Sequence, residues 1–352
     1  MDNPYIGLPK SAFWKSAISN VNALEMEGIY APKFPISKSI DICAAGSCFA
    51  QHIGRQFKER GYRFVDLEKP ISLMEKGDLS RFGYDMYSAR YGNIYSIRQL
   101  LQLFQRADGS FKPEETHWET NGRWYDPFRP SIEPNGFASL AELHMDLAYH
   151  FGQINLLLKS CRLFVFTFGL TEGWINKNDG SVLPTCPGTI AGNFDPSKYE
   201  FHNFTHSEVL ADTEAFIEYA LAINPKIKFL FTVSPVPLTA TASGAHVLTA
   251  TVYSKSVLRG VCGELSQKYD YVDYFPSYEL VTSHPMRSMF YNPNLRSVSS
   301  KGVAHVMSVF FNAIGENESD ENQSPAPDRT ESVADDEERI HCDELILEAF
   351  GE

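Results

Sequence analysis

Residues 40–51 read Ile40-Asp41-Ile42-Cys43-Ala44-Ala45-Gly46-Ser47-Cys48-Phe49-Ala50-Gln51. An apolar run passes into the smallest side chains, then into a Ser and a Cys, and a helical pattern follows. This spacing predicts a buried strand over 39–44, a tight turn, and a helix over 49–60, which together make one βα unit. Further along, β-branched or aromatic runs at 62–66, 163–168, 227–233 and 271–275 alternate with helical patterns at 97–106, 140–159, 207–223, 250–268 and 300–314. Ser207 and Ser300 are read as helix start signals, and Pro225 as a stop. Strands alternating with helices predict an α/β fold around a mainly parallel sheet. After the second predicted strand, residues 67–153 hold no comparably clear strand but carry Trp118, Trp124, Tyr125 and Phe128. This long insertion is expected either to cover a site at the carboxyl edge of the sheet or to form an outer layer.

Composition narrows the function classes. The 352 residues carry a net charge of −13, but it is unevenly placed. Residues 316–352 hold 14 Asp/Glu against two Arg, so the preceding 315 residues, with 29 basic and 30 acidic side chains, are almost neutral. A neutral body lacks the basic footprint of a nucleic-acid binder. Residues 316–338 are polar, acidic and Pro-containing, and are expected to be a disordered linker between a 1–315 domain and a short helix within 339–352. Ile340, Leu345, Ile346, Leu347 and Phe350 give that helix an apolar stripe, which either docks back on the body or binds a protein partner. No run reaches the roughly 20 apolar residues needed to span a bilayer. The start resembles no signal peptide, and the six cysteines show no CxxC pairing, so the expected location is cytoplasmic.

In open α/β sheets, sites gather beyond the carboxyl ends of strands. Ser47 falls there. It is read either as a nucleophile, with the Cys48 N–H facing a developing oxyanion at a helix N-terminus, or as the cap of helix 49–60. Phosphate-cradling loops need GxGxxG or GxxxxGK[ST], and neither is present. Cys48 has no neighbour to depress its thiol pKa and is read as a packing residue. His202 and His206 have the i,i+4 spacing of a metal pair, with Cys186 upstream, but a fourth ligand or an HExxH pattern is missing, so neither metal nor cofactor is expected. His202 follows the loop 184–193 and is expected to border the pocket.

"GSCFA" (Gly46–Ala50), "YGNIYS" (Tyr91–Ser96), "FTFGLTEGW" (Phe166–Trp174), "SPVP" (Ser234–Pro237) and "YFPSYE" (Tyr274–Glu279) together resemble the GSCFA family, whose members are similar to the GDSL/SGNH hydrolases. The resemblance implies a three-layer α/β/α fold and acyl-ester chemistry with a serine nucleophile. Position by position, Ser47 matches that nucleophile, although Ala45-Gly46-Ser47 replaces Gly-Asp-Ser. Gly92, with Asn93 beside it, matches the second-block glycine of the oxyanion hole. Gly169 and Thr171 fall at the third block, where the hydrolases carry an Asn. The last block departs most: Asn294-Leu295-Arg296-Ser297 stands where the hydrolases place Asp-x-x-His.

A serine hydroxyl still needs a base. His284, in the loop after the last predicted strand, is the first candidate, with Glu279 to orient it. His305, on a helix with an apolar stripe, is the second. Asp273 is expected to face solvent or a cap. The function expected is an enzyme making or breaking O-acyl, chiefly acetyl, esters of a carbohydrate, with an acyl donor if it is a transferase. The alternative is a noncatalytic carbohydrate-binding or scaffold protein on a degenerate site.

Overall fold

All five residues of the first strand, β1 (Ile42–Gly46), are buried, because a parallel strand covered on both faces reads as a continuous apolar run. The computed structural model describes residues 3–70, 74–75, 78–316 and 343–351. After β1 come α1 (Phe49–Glu59), α2 (Ile97–Asp108), β2 (Trp118–Thr120), β3 (Arg123–Tyr125), α3 (Leu140–Ser160), β4 (Leu163–Phe168), β5 (Glu172–Asn176), β6 (Val182–Leu183) and β7 (Tyr199–Asn203). The remainder is α4 (His206–Ile223), β8 (Lys228–Val233), α5 (Val247–Lys268), β9 (Val272–Tyr274), α6 (Ser277–Thr282) and α7 (Ser300–Ala313).

The central sheet runs β1-β4-β8-β9, and every pairing in it is parallel. Successive side chains of a strand face opposite sides, which sorts the core into two layers. Phe164, Phe166 and Phe168 of β4 pack with α2, α3, α4 and α5 through Leu100, Ile154, Phe216 and Val261. Leu163 and Val165, pointing the other way, pack with α1, α6 and α7 through Ile53, Leu280 and Phe310. The result is α/β/α, as expected.

The second expected strand, 62–66, is not formed. The chain there makes a single parallel bridge, Ile42 to Phe64, beside the outer edge of β1. The next strand of the central sheet, β4, lies on the opposite side of β1. β1 therefore stands at the point where the strand order reverses, and a crevice opens there at the carboxyl ends.

Within 67–153 the chain forms α2, the β2–β3 hairpin and most of α3. A three-stranded antiparallel sheet, β6-β5-β7, was not foreseen. Trp118 of the hairpin packs with Leu183 and Tyr199 of that sheet, so the insertion and the small sheet form one outer cluster. Thr205, not Ser207, caps α4, in a capping box with Glu208, and Ser299, not Ser300, caps α7. The expected linker lies almost wholly outside the described residues. Asp343–Phe350 forms a 3-10 helix that touches the body. Among the described residues no helix is long and apolar enough to cross a membrane.

Candidate active site

The close approach of β1 to β4 explains the small residues that end β1. Gly46 has φ +143, and a Cβ there would lie 2.5 Å from the Thr167 carbonyl oxygen and 2.9 Å from the Thr167 Cβ. Only glycine meets both demands. Ser47 follows, with its amide donating to Thr167 O at 3.3 Å and its carbonyl accepting from Ala50 N at 2.8 Å as α1 begins. The Ser47 carbonyl also accepts the Tyr87 hydroxyl at 3.2 Å.

Ser47 does not cap α1. Cys48 holds the cap position and makes no side-chain cap bond. The Ser47 side chain is 3% exposed, and among the described residues its Oγ has no hydrogen-bond partner. A buried hydroxyl left unpaired costs about 1–3 kcal/mol, and such orphans call for a specific explanation.

The cavity that holds Ser47 is lined by Cys48, Tyr95, Gly169, Leu170, Ser234, Val236, Pro237, Leu238, Lys255 and Glu344, with about 10 Å³ free, room for little more than one water. Gly169 is needed at its wall, because a Cβ there would come within 3.1 Å of the Ser47 Cβ and of the Tyr95 carbonyl oxygen. Lys255, on α5, is 2% exposed and donates to the Gly169 carbonyl at 2.5 Å. Burial pushes its ammonium down to about 8, against the opposing influence of Glu344 and with Arg296 adding to the depression.

Of the residues singled out from the sequence, this cavity brings together Ser47, Cys48 and Gly169. No histidine lines it among the described residues. His284 lies instead in a separate groove with Trp14 and Arg287, its ring stacked on Trp14 at 5.2 Å. Glu279 is ion-paired instead with Arg259 at 2.5 Å and accepts the Tyr274 hydroxyl at 2.7 Å. His305 stacks on Phe290 at 4.7 Å, and burial lowers its pKa. Asp273, expected at solvent or a cap, is buried and holds the N-terminal segment by accepting Tyr30 OH at 2.8 Å and Lys33 N at 3.0 Å.

The third-block donors are committed elsewhere. Gly169 N donates to Tyr95 O, Thr171 N to Ser254 Oγ, and Thr171 Oγ1 to Asn203. Gly92, with φ +68, turns the chain beside Asn93. The Asn93 side chain accepts the Tyr87 hydroxyl at 2.6 Å and donates from Nδ2 to Asp343 at 2.9 Å. His202 pairs with Glu208 at 2.8 Å and His206 with Glu264 at 3.8 Å, so each imidazole faces its own carboxylate.

Three contributors were missed. Lys255 shares a helical face with Leu258 and Cys262 at i+3 and i+7, so a lone lysine in a buried stripe was the available signal. Arg296 reaches Glu344 with Nη2 at 3.0 Å, from the very stretch that departs from Asp-x-x-His. The C-terminal 3-10 helix places Glu344 in the Ser47 cavity. It also places Leu347 in an adjoining cleft of about 180 Å³ lined by Trp174, Phe201, Leu238 and Thr241. Leu170, Leu238 and Glu344 border both spaces. Contacts so distant in sequence leave no local pattern to read.

A model of the GSCFA family matches residues 41–310. No curated protein matches the chain. Among solved structures, it is similar to a Streptococcus pneumonia protein named for platelet activating factor, at 10% identity and TM-score 0.36, covering 83% of this chain and 88% of that one. A carbohydrate esterase family 3 protein from Talaromyces cellulolyticus aligns at 10% identity and TM-score 0.34, over 77% and 94% of the two chains. A GDSL-like lipase from Bacteroides thetaiotaomicron aligns at 12% identity and TM-score 0.33, over 80% and 90%. None of these likenesses is close enough to carry over an activity.

Proposed function

The chain belongs to the GSCFA family, and from that premise and the surroundings of Ser47 we propose a serine acyl-ester enzyme. It acts on O-acyl groups, acetyl foremost, of a carbohydrate, as an esterase or as an acyltransferase. The observation that carries this reading is the orphaned Ser47 hydroxyl, buried in one cavity with a lysine whose charge is disfavoured by burial.

Ser47 Oγ attacks the acyl carbonyl carbon while Lys255 Nζ, in its neutral form, takes the hydroxyl proton. With a pKa of about 8, about a tenth of the lysine is neutral at pH 7. Serine–lysine pairs are a known variant of the triad logic. The charge that develops on the carbonyl oxygen is met by the Cys48 N–H at the start of α1, where the helix dipole favours an anion, and by the Gly92 N–H of the second block. Lys255 then returns the proton to the departing sugar oxygen, leaving Ser47 acylated. Water completes hydrolysis, or a sugar hydroxyl completes transfer. Trp174 and Phe201 give the adjoining cleft apolar faces on which a sugar ring stacks.

A noncatalytic carbohydrate-binding or scaffold protein is the second reading, favoured by a cavity that no histidine lines among the described residues and by its small free volume. The full chain and Ser47→Ala, treated with a fluorophosphonate probe and p-nitrophenyl acetate, separate the two. The enzymatic reading expects labelling and ester cleavage in the wild type, both lost in Ser47→Ala. Equal labelling of both proteins removes Ser47 as the nucleophile.

A further inference from the structure

The 21 residues of α3 turn Leu143, Leu147, Ile154, Leu157 and Leu158 inward, yet the opposite face is apolar as well. Met145 is 74% exposed, Tyr149 54% and Leu156 47%. Gly152 lies between the last two, and a Cβ added there would meet nothing within 4 Å. These four residues stand at i, i+4, i+7 and i+11, the alternation of fours and threes that lets two helices interlock along a seam. Histidine aside, Asp146 is the one acidic or basic residue between Glu142 and Lys159. Its carboxylate is engaged by Arg90 at 2.8 Å and Arg129 at 2.7 Å. The solvent face of a helix ordinarily carries charges, so an exposed apolar seam without them marks an interface.

The seam is complementary to itself. Met145 with Leu156, Tyr149 with Gly152, and Glu142 with Lys159 are pairs centred on one point of the helix, midway between His150 and Phe151. We propose that α3 is a homodimer interface, on which a second copy of this chain lays its own α3 antiparallel about a two-fold axis through that point. Each Met145 then comes level with Leu156 of the partner subunit. Each Tyr149 ring comes level with Gly152 of the partner subunit, where the missing side chain leaves room for it. At either end of the seam Glu142 stands at the height of Lys159 of the partner subunit, which brings unlike charges together. A parallel pair would instead set like charge beside like charge, crowd two tyrosines together and leave two glycines facing a gap. Such isologous contact is the commonest form of a dimer. One pair of helices makes a small interface, so association is expected in the micromolar range. The proposal does not depend on the chemistry assigned to Ser47.

Analytical ultracentrifugation of the full-length chain from about 1 to 100 µM should show a reversible monomer–dimer equilibrium. Met145→Glu and Leu156→Lys, made separately, each set a charge against an apolar side chain and should weaken the dimer at least about tenfold. Mixing these two variants should give a heterodimer tighter than either homodimer, because the introduced carboxylate and ammonium meet at one end while the other end keeps its native pair. Gly152→Gln raises helix propensity and has open space at its Cβ, so it should abolish dimerisation while circular dichroism shows the fold retained. A wild type that stays monomeric throughout overturns the proposal. A dimer untouched by Gly152→Gln does so too, since the contact would then lie on another face. A mixture no tighter than the two homodimers refutes the antiparallel register and with it the proposal.

Discussion

In the proposed reaction Ser47 and Lys255 set the chemistry, and their requirements are individually testable. A base must be neutral to accept a proton, so with Lys255 at about 8 the rate should rise as pH climbs through that value and level off above it. Lys255→Met should lower kcat by about 10² to 10⁴-fold and remove that rise, read from pH–rate profiles with p-nitrophenyl acetate. Glu344 raises the lysine pKa, so Glu344→Gln should move the same rise to lower pH. Gly46 carries a different burden. An added methyl meets backbone at 2.5 Å in a conformation that side chains rarely adopt, which a real chain answers by shifting β1 away from β4. Gly46→Ala should therefore cost at least about 1–3 kcal/mol in urea unfolding and displace Ser47 as well, whereas retained stability and activity would show that the two strands have slack.

At the scale of the element, α4 begins with Thr205 accepting from Glu208 N at 3.4 Å, while the Glu208 carboxylate accepts from Thr205 N at 2.8 Å. Thr205→Ala should cost about 1 kcal/mol, seen as a drop of about 1–2 °C in Tm. An unchanged Tm would mean that packing alone fixes that end of the helix. Elements of this kind were largely legible: β4 and β8 are long apolar runs, and each helix carries a buried stripe. The edge strand at 62–66 was not, because its residues are strand-like while only Phe64 bridges to a partner, and pairing is a tertiary fact. The small sheet escaped because the two residues of β6 form no pattern. The place of Ser47 between the end of β1 and the start of α1 was legible from strand, turn and helix in series. The base was sought among histidines because the familiar arrangement uses one. His284 sits with Trp14, and the cavity is completed by a lysine from α5 and a carboxylate beyond residue 342, neither of which local sequence relates to Ser47.

Over the whole molecule, the outer cluster is tied to the core by a buried network of charges. Arg129 pairs with Asp126 at 2.7 Å and with Asp146 at 2.7 Å, and Arg90 joins Asp146 at 2.8 Å. Arg106 approaches Asp126 at 3.7 Å. Burial pushes the Asp126 pKa up, but Arg129 and Arg106 outweigh it and hold the carboxyl below its ordinary value. A carboxyl depressed in the folded state contributes stability that is present above its unfolded pKa of about 3.9 and lost as pH falls through the folded value. Asp126→Asn leaves Arg129 partly unpaired and should cost about 3–5 kcal/mol. Urea titrations between neutral and acid pH should show that loss at pH 7 and a flatter acid limb in the variant. Equal stability of the two proteins would mean that solvent reaches the network.

The most direct test of the account is the site and rate of fluorophosphonate attachment in the full-length chain, followed by intact and peptide mass spectrometry across pH 6 to 10. A single adduct on Ser47, forming faster as pH passes about 8 and losing that dependence in Lys255→Met, is the result predicted. An adduct on another residue, or a Ser47 adduct whose pH dependence survives Lys255→Met, would contradict the account.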